Sequence, residues 1–450
     1  MIRAVTLGAM AWGILWQAAA AEAPVSFSRD IAPILQKKCQ TCHNEDKSKG
    51  DYRLDHFAAL LKPGSSKEEP VVAGKPDASE LYRLLIEKDP DDRMPQKDEP
   101  LPAAQIALVA RWITEGAKFD GPDPKAPLAS LLPKAVYPDP PAAYRLPVPV
   151  TALAFHPNGA ELAVSGYHEV TLWEPATGKL IRRIKNLPRQ IRGLAYSPDG
   201  RLLAVAGGAP GESGELNVVN LADKDTVKTL GTMREIMLAV TFTPDGQHVV
   251  TGGADNSIHV FNTATGTQER TIQQHADWVV GLAVNADATL IASASRDRTA
   301  RTFNLKTGEL EENYTGHNAA VYAVAFSADG KTVYSAGRDK TIDIWAAKDG
   351  KRDKGNEIKG FNGDILQLLV VDKALFSCGA DKRVRQHNPA DRSLVRAYPE
   401  QPDWLYALAA HPASHRLASG SYNGEVRVYD YADGKELVTF TAAPGFVAAK

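Results

Sequence analysis

A unit of about forty residues recurs seven times between residues 150 and 441, and self-similarity at that period confines a chain to architectures built by packing like units on one another. Each copy opens on a short apolar run: Thr151 to Phe155, Arg192 to Tyr196, Leu238 to Phe242, Gly281 to Val284, Tyr322 to Phe326, Leu366 to Val370 and Tyr406 to Ala410. In most copies a Pro-Asp-Gly-like turn follows, as at Pro198-Asp199-Gly200 and Pro244-Asp245-Gly246. A second strand then ends in small residues, such as Ala292-Ser293-Ala294-Ser295 and Ala418-Ser419-Gly420-Ser421. The third closes on an aromatic at Trp173, Phe261, Phe303, Trp345 and Tyr429. Turns precede the fourth at Thr177-Gly178, Thr265-Gly266, Thr307-Gly308, Asp349-Gly350 and Asp433-Gly434. Short strands separated by turn residues predict an all-β region.

This region resembles the WD-repeat family, and the resemblance implies four strands per blade and a seven-bladed propeller over residues 150–450. One copy carries the family's internal hydrogen-bond set in full, with Gly316-His317, Ser335, Asp339 and Trp345. Another has His275, Ser293 and Asp297, with Phe303 in place of Trp. The first two copies lack the Asp, the second has Val219 at the aromatic position, and the sixth has His387 there. Ser, His and Asp together suggest nucleophilic catalysis, but a catalytic set occurs once and this one recurs, so its role is structural. A propeller of this kind is expected to dock another protein.

Ahead of the repeats the chain changes character. Residues 22–120 show helical periodicity, with Phe27, Ile31, Ile34 and Leu35 near the start and Ile106, Val109, Trp112 and Ile113 near the end. Pro33 suits a helix first turn and Gly116 a helix stop, which predicts a small all-α domain and, for the chain, a multidomain arrangement. Nine prolines in the twenty-nine residues 121–149 predict an extended spacer, since proline at that density makes neither a helix nor a central strand. Residues 1–21 carry one charge, Arg3, an apolar stretch from Ala4 to Trp16, and then Gln17-Ala18-Ala19-Ala20-Ala21. That pattern reads as a signal peptide cut after Ala21, placing the protein in the periplasm or otherwise outside the cytoplasm, with no membrane span left after cleavage. A net charge of -2 supplies no basic field for nucleic acid. Of three cysteines, Cys378 stands alone in a strand-like run and reads as a buried thiol.

The other two lie in Cys39-Gln40-Thr41-Cys42-His43, the C-x-x-C-H pattern of covalent haem attachment. Two thiolates one helical turn apart can add to the two vinyl groups of a haem, and the adjacent imidazole then meets the iron from one face. A thioredoxin-like pair would need a preceding strand, whereas Ile31 to Lys38 reads as helix. A zinc site would need more ligands nearby, and the domain offers only His56. The sixth iron position decides the chemistry: methionine there makes an electron carrier, an empty site makes a ligand-binding haem. After the signal this domain has one methionine, Met94, in Asp91-Asp92-Arg93-Met94-Pro95. Met94 is the expected distal ligand and His56 its competitor. The surrounding acids Glu87, Asp89, Asp91, Asp92, Asp98 and Glu99 can steer a basic redox partner or form a solvated loop. A calcium site over 89–92 lacks the usual glycine and spacing.

Residues 27–121 resemble the small cytochrome c domains of planctomycete and related bacterial proteins. The stretches that carry the resemblance are Phe27 with Ile31-Ala32-Pro33-Ile34-Leu35, the Cys39–His43 motif, Lys49-Gly50 with Arg53-Leu54-Asp55, Ala73-Gly74-Lys75-Pro76 with Ser79-Glu80-Leu81, Arg93-Met94-Pro95, Leu101, and Trp112-Ile113 with Gly116-Ala117. The resemblance implies one covalent haem c on Cys39 and Cys42, with His43 as proximal and Met94 as distal iron ligand. Gln96 stands where a second proline is common in that family, which implies a looser loop. Fusions of this domain to WD-repeat propellers occur in the same bacteria. The expected function is single-electron transfer by an exported mono-haem cytochrome whose propeller docks a redox partner protein. An alternative is an oxidoreductase whose propeller binds a small substrate and whose haem takes its electrons, and a third is a haem redox sensor.

Overall fold

The computed structural model describes residues 23–40, 42–44, 48–96, 99–126, 128–131, 136–233, 235–348 and 356–446. The expected signal segment, Thr41, Asp98 and the turn at 349–350 lie outside them. The chain divides into two compact units, residues 1–133 and 134–450. It is mostly β, with a few short helices in the N-terminal unit. No helix among the described residues is long and apolar enough to cross a membrane.

The first unit begins with a wide turn, Phe27–Ile31, that runs directly into helix α1, Ala32–Lys38. Ser26 accepts from the Arg29 N–H at 3.0 Å, and Pro33 occupies the first turn of α1, where its missing N–H has no partner to lose. Helices α2 (Phe57–Leu60), α3 (Glu80–Ile86), α4 (Ala103–Thr114) and α5 (Leu128–Leu131) follow. Phe27, Ile31, Ile34 and Leu35 bury against Val109, Trp112 and Ile113 of α4, which are the two apolar stripes legible in the sequence. Phe27 packs edge-on to Phe57 at 4.8 Å and tilts against Trp112 at 5.4 Å. Each such fully buried side chain contributes about 1.5–3 kcal/mol, and this core holds the Cys39–His43 segment in place. Gly116, at φ 100°, ends α4 in a backbone region open to glycine.

The proline-rich stretch is divided between the units. Leu128 and Leu131 are buried in the core of the first. In the second, the Tyr137 hydroxyl donates to Glu215, the Tyr137 N–H donates to Asn186 at 2.9 Å, and the Tyr144 hydroxyl donates to Glu169 at 2.6 Å.

Among the described residues the second unit holds six antiparallel sheets, one of seven strands and five of four, each an up-and-down meander that does not close on itself. The seven-stranded sheet exists because one strand, Lys179–Tyr196, spans eighteen residues. Its first part pairs with Tyr167–Glu174 and its last part with Leu202–Ala209, while residues 186–189 pair with neither. Asn186 at φ 58° and Pro188 occupy that gap, where a missing N–H breaks no ladder. In the opening strand of six successive units the register skips one residue: Arg192, Leu238, Val280, Tyr322, Leu366 and Tyr406. This repeated bulge bends every such strand at the same place. Neighbouring sheets share apolar cores. The first and last do too, through Val150, Leu153 and Trp173 with Ala407, Val426 and Val428. The turns follow their residues: Asp199 accepts from the Ser197 hydroxyl at 2.6 Å and the Arg201 N–H at 3.1 Å, and Gly200 takes φ 73°.

Two of these units contain the expected polar set. Trp345 donates to the Ser335 hydroxyl at 3.0 Å, Ser335 to His317 Nε2 at 2.8 Å, and His317 Nδ1 to Asp339 at 2.7 Å. His275 joins Ser293 at 2.7 Å and Asp297 at 2.8 Å in the same manner. Burial alone would raise the Asp297 and Asp339 carboxyls, but hydrogen bonds from the imidazoles and neighbouring threonines hold both below their ordinary value. In the last unit Gln401 stands in for the histidine, its amide donating to Ser419 at 2.7 Å and to the Tyr429 hydroxyl at 3.2 Å. Cys378 is buried, its thiol directed to the Leu405 carbonyl at 3.5 Å and pushed up by burial.

Candidate functional site

The Cys39–His43 motif begins where α1 ends. Cys39 caps α1, its N–H bonded to the Leu35 carbonyl at 2.9 Å. The chain then winds one further turn, with the Cys42 and His43 N–H groups both donating to the Cys39 carbonyl, at 3.1 and 3.2 Å. Cys39, Cys42 and His43 therefore stand on one turn at the edge of the core. Both thiols are half-buried and neither is in a disulfide. The carbonyls of Cys42 and His43 accept from the N–H groups of Lys49 at 3.0 Å and Leu54 at 3.1 Å, so the segment that follows fixes the turn from outside.

The imidazole of His43 is oriented by Tyr52. Nδ1 lies 3.1 Å from the Tyr52 carbonyl oxygen, and the two rings meet edge-on at 5.6 Å. A carbonyl only accepts, so Nδ1 carries the proton and Nε2 keeps its lone pair. Among the described residues Nε2 has no hydrogen-bond partner. Tyr52 is itself fixed by its hydroxyl, which donates to the Leu60 carbonyl at 2.9 Å; burial pushes that phenol well above its ordinary value.

Met94 lies on a separate loop, half-buried, after α3. Its N–H donates to the Leu84 carbonyl at 2.9 Å, and its peptide bond to Pro95 is cis. The Arg93 and Asp92 N–H groups both bond the Asp89 carbonyl, at 2.9 and 3.2 Å. Gln96, which implied a looser loop, instead ties it: its amide donates to the Asp91 carbonyl at 2.8 Å. The acids Glu87, Asp89, Asp91, Asp92 and Glu99 are all exposed.

His56, the competing ligand, is engaged elsewhere. It caps α2, with Nδ1 accepting from the Ala59 N–H at 3.0 Å. Nδ1 therefore holds the lone pair and Nε2 the proton, which faces Asp55 at 3.8 Å. A neutral imidazole arranged so offers no second lone pair to a metal. Its place ahead of the helical run Phe57-Ala58-Ala59-Leu60 is the sequence signal of a cap.

Among the described residues no group of three or more His, Cys, Asp or Glu side chains is placed to hold a metal ion. Haem iron takes its equatorial bonds from the porphyrin and asks the protein only for axial ligands. Two thiols one turn apart, an adjacent imidazole with one lone pair available, and a thioether on a separate loop fit that group.

The comparisons with known proteins divide along the same line. Residues 39–98 match the family model described as Planctomycete cytochrome C. Residues 266–304, 308–346 and 392–430 match that of the WD domain, G-beta repeat, and residues 144–267 that of the Eukaryotic translation initiation factor eIF2A. The chain thus joins a segment of the planctomycete cytochrome c type to WD repeats. The Protein LST8 homolog of Drosophila melanogaster is 30% identical over 26% of this chain and 38% of its own length. The WD repeat-containing protein VIP3 of Arabidopsis thaliana is 28% identical over 25% and 39%, and the Uncharacterized WD repeat-containing protein sll1491 of Synechocystis is 29% identical over 26% and 33%. The chain spans well under half the length of these curated relatives.

Proposed function

We propose that this chain is an exported mono-haem cytochrome c that passes single electrons, and that its WD repeats form a seven-bladed propeller on which a redox partner protein docks. The observation that carries the haem assignment is the His43 tautomer: Nδ1–H donates to the Tyr52 carbonyl and leaves Nε2 able to ligate. Cys39 and Cys42 would hold the haem by thioether bonds, with His43 as the proximal and Met94 as the distal ligand. When bound, the haem supplies an iron that changes oxidation state by one electron. The protein's part is to hold the motif against a rigid core, to orient His43 through Tyr52, and to keep the Met94 loop pinned to α3. The alternative distal ligand, His56, has its lone pair engaged at the α2 cap.

Strand arithmetic supports seven blades. If the long strand Lys179–Tyr196 serves as the last strand of one blade and the first of the next, the seven-stranded sheet is two blades, and five four-stranded sheets make up the rest. The core shared by the first and last sheets supports a closed ring. The WD-repeat match supports docking, and the composition of the first twenty-one residues supports export.

Haem staining after denaturing electrophoresis tests the attachment. The wild-type chain should hold its colour, C39A or C42A should weaken it, and the double variant should lose it. Colour surviving in the double variant would contradict the assignment.

A further inference from the structure

The guanidinium of Arg93 is anomalous. Its Nε is sealed from solvent without a hydrogen-bond partner, and no side-chain bond or ion pair engages the residue among the described residues. Exposed carboxylates stand close by in the chain, at Asp89, Asp91 and Asp92, yet none accepts from it. Arginine stays charged throughout the accessible pH range, and although Arg93 as a whole is half-buried, its Nε–H is a charged donor shut off from water without an acceptor, which is unfavourable. Elsewhere in this unit the arginines are paired: Arg53 with Asp55 at 2.9 Å, Arg111 with Glu115 at 2.7 Å, and Arg83 with Glu68. The other sealed, unsatisfied side-chain atom described in the unit, Gln105 Oε1, is neutral and is not bonded to Arg93.

Arg93 precedes Met94, and its backbone is fixed by the Asp89 carbonyl. An unpaired guanidinium on the residue that precedes the expected distal ligand suits an anion that arrives with the cofactor. Haem carries two propionates, and the forked guanidinium matches a carboxylate in bidentate fashion. We propose that Arg93 is a positioning residue that binds a haem propionate and neutralises it, fixing the cofactor's orientation and raising its reduction potential. The proposal rests on the haem reading above. Its energetic logic is that a positive charge near the iron disfavours the ferric state, so removing the charge lowers the potential.

The test compares the full-length chain with R93Q and R93K, isolated with haem attached. In R93Q the haem stain should survive denaturing electrophoresis, because Cys39 and Cys42 are untouched. The reduction potential should fall and the propionate-bending band in the resonance Raman spectrum should shift. R93K should recover most of the potential, since it restores the charge, while still shifting the band, since one ammonium replaces a fork. Unchanged potential and band in haem-bearing R93Q would overturn the role of Arg93 alone. Should R93Q not accumulate, an unchanged propionate band in R93K would overturn it equally. A wild-type chain without covalent haem would overturn both this inference and the reading beneath it.

Discussion

Two histidines, one in each unit, are held by similar bonds and differ in what those bonds leave over. His317, in the WD-repeat unit, is fully buried and has both ring nitrogens engaged, by Asp339 and Ser335. His43, in the N-terminal unit, is half-buried and has one nitrogen engaged by a backbone carbonyl. The first arrangement is closed: each donor meets an acceptor, and the network ends on an indole and a carboxylate. The second is open by one lone pair. An imidazole with both nitrogens satisfied builds structure, whereas one oriented from Nδ1 alone is prepared for a ligand at Nε2. His56 sharpens the contrast, since it is half-buried like His43 but uses its lone pair on a helix cap.

The largest effect that could break this comparison is on stability. H317A leaves the buried Asp339 side chain without its imidazole partner and with Thr341 alone, so the unfolding transition of the WD-repeat unit should lose about 3 kcal/mol. H43A should cost the first unit about 1 kcal/mol, the worth of one hydrogen bond, while abolishing axial ligation. Denaturant titration of the full chain followed by circular dichroism measures both, and equal losses would erase the distinction.

A smaller, pH-dependent effect belongs to His387, a third kind of histidine. Burial, with Arg385 close by, lowers its pKa to about 4, and its Nδ1 has no partner. A histidine whose folded pKa lies below its unfolded value of about 6.5 is charged more readily when unfolded. Its neutral form therefore supports the fold fully above pH 6.5, and that support is lost as pH falls from there toward 4. The thermal midpoint of the WD-repeat unit should drop over this window. H387F, restoring the aromatic found in most other copies, should flatten the drop, and an unaltered slope would remove His387 from the account. Asp339 acts lower down: its depressed carboxyl contributes stability present above its unfolded value and lost as pH falls further.

The smallest effect concerns His56. H56A removes a helix cap and should cost about 1 kcal/mol, with the haem spectrum unchanged. A spectral change would show that the ring ligates after all.

How far these roles are legible in the sequence depends on where their partners lie. Cys39, Cys42 and His43 are readable because their chemistry demands one turn of local spacing. The His317 and His275 sets are readable because they repeat at a fixed offset. The orienting partner of His43 is a backbone carbonyl, which leaves no trace in residue identity. Gln401 escaped notice because an amide replaces the imidazole while serving the same serine. The merging of two sheets through Lys179–Tyr196 is not legible because Pro188 disfavours a continuous ladder; it sits in the gap where the strand changes partners. Met94 is legible as the one methionine of the N-terminal domain after the signal, and its rival His56 spends its Nδ1 lone pair on the α2 cap.

His43 and Met94 are proposed as the two axial ligands of one haem. The ferric absorption spectrum of the purified full-length chain tests this most directly, through the sulfur-to-iron charge-transfer band that only a methionine-ligated haem displays. The band should be present in the wild type, absent in M94A, whose iron then binds cyanide or carbon monoxide readily and whose reduction potential falls, and retained in H56A. A wild-type spectrum without the band, or a band that disappears in H56A and persists in M94A, would contradict the claim.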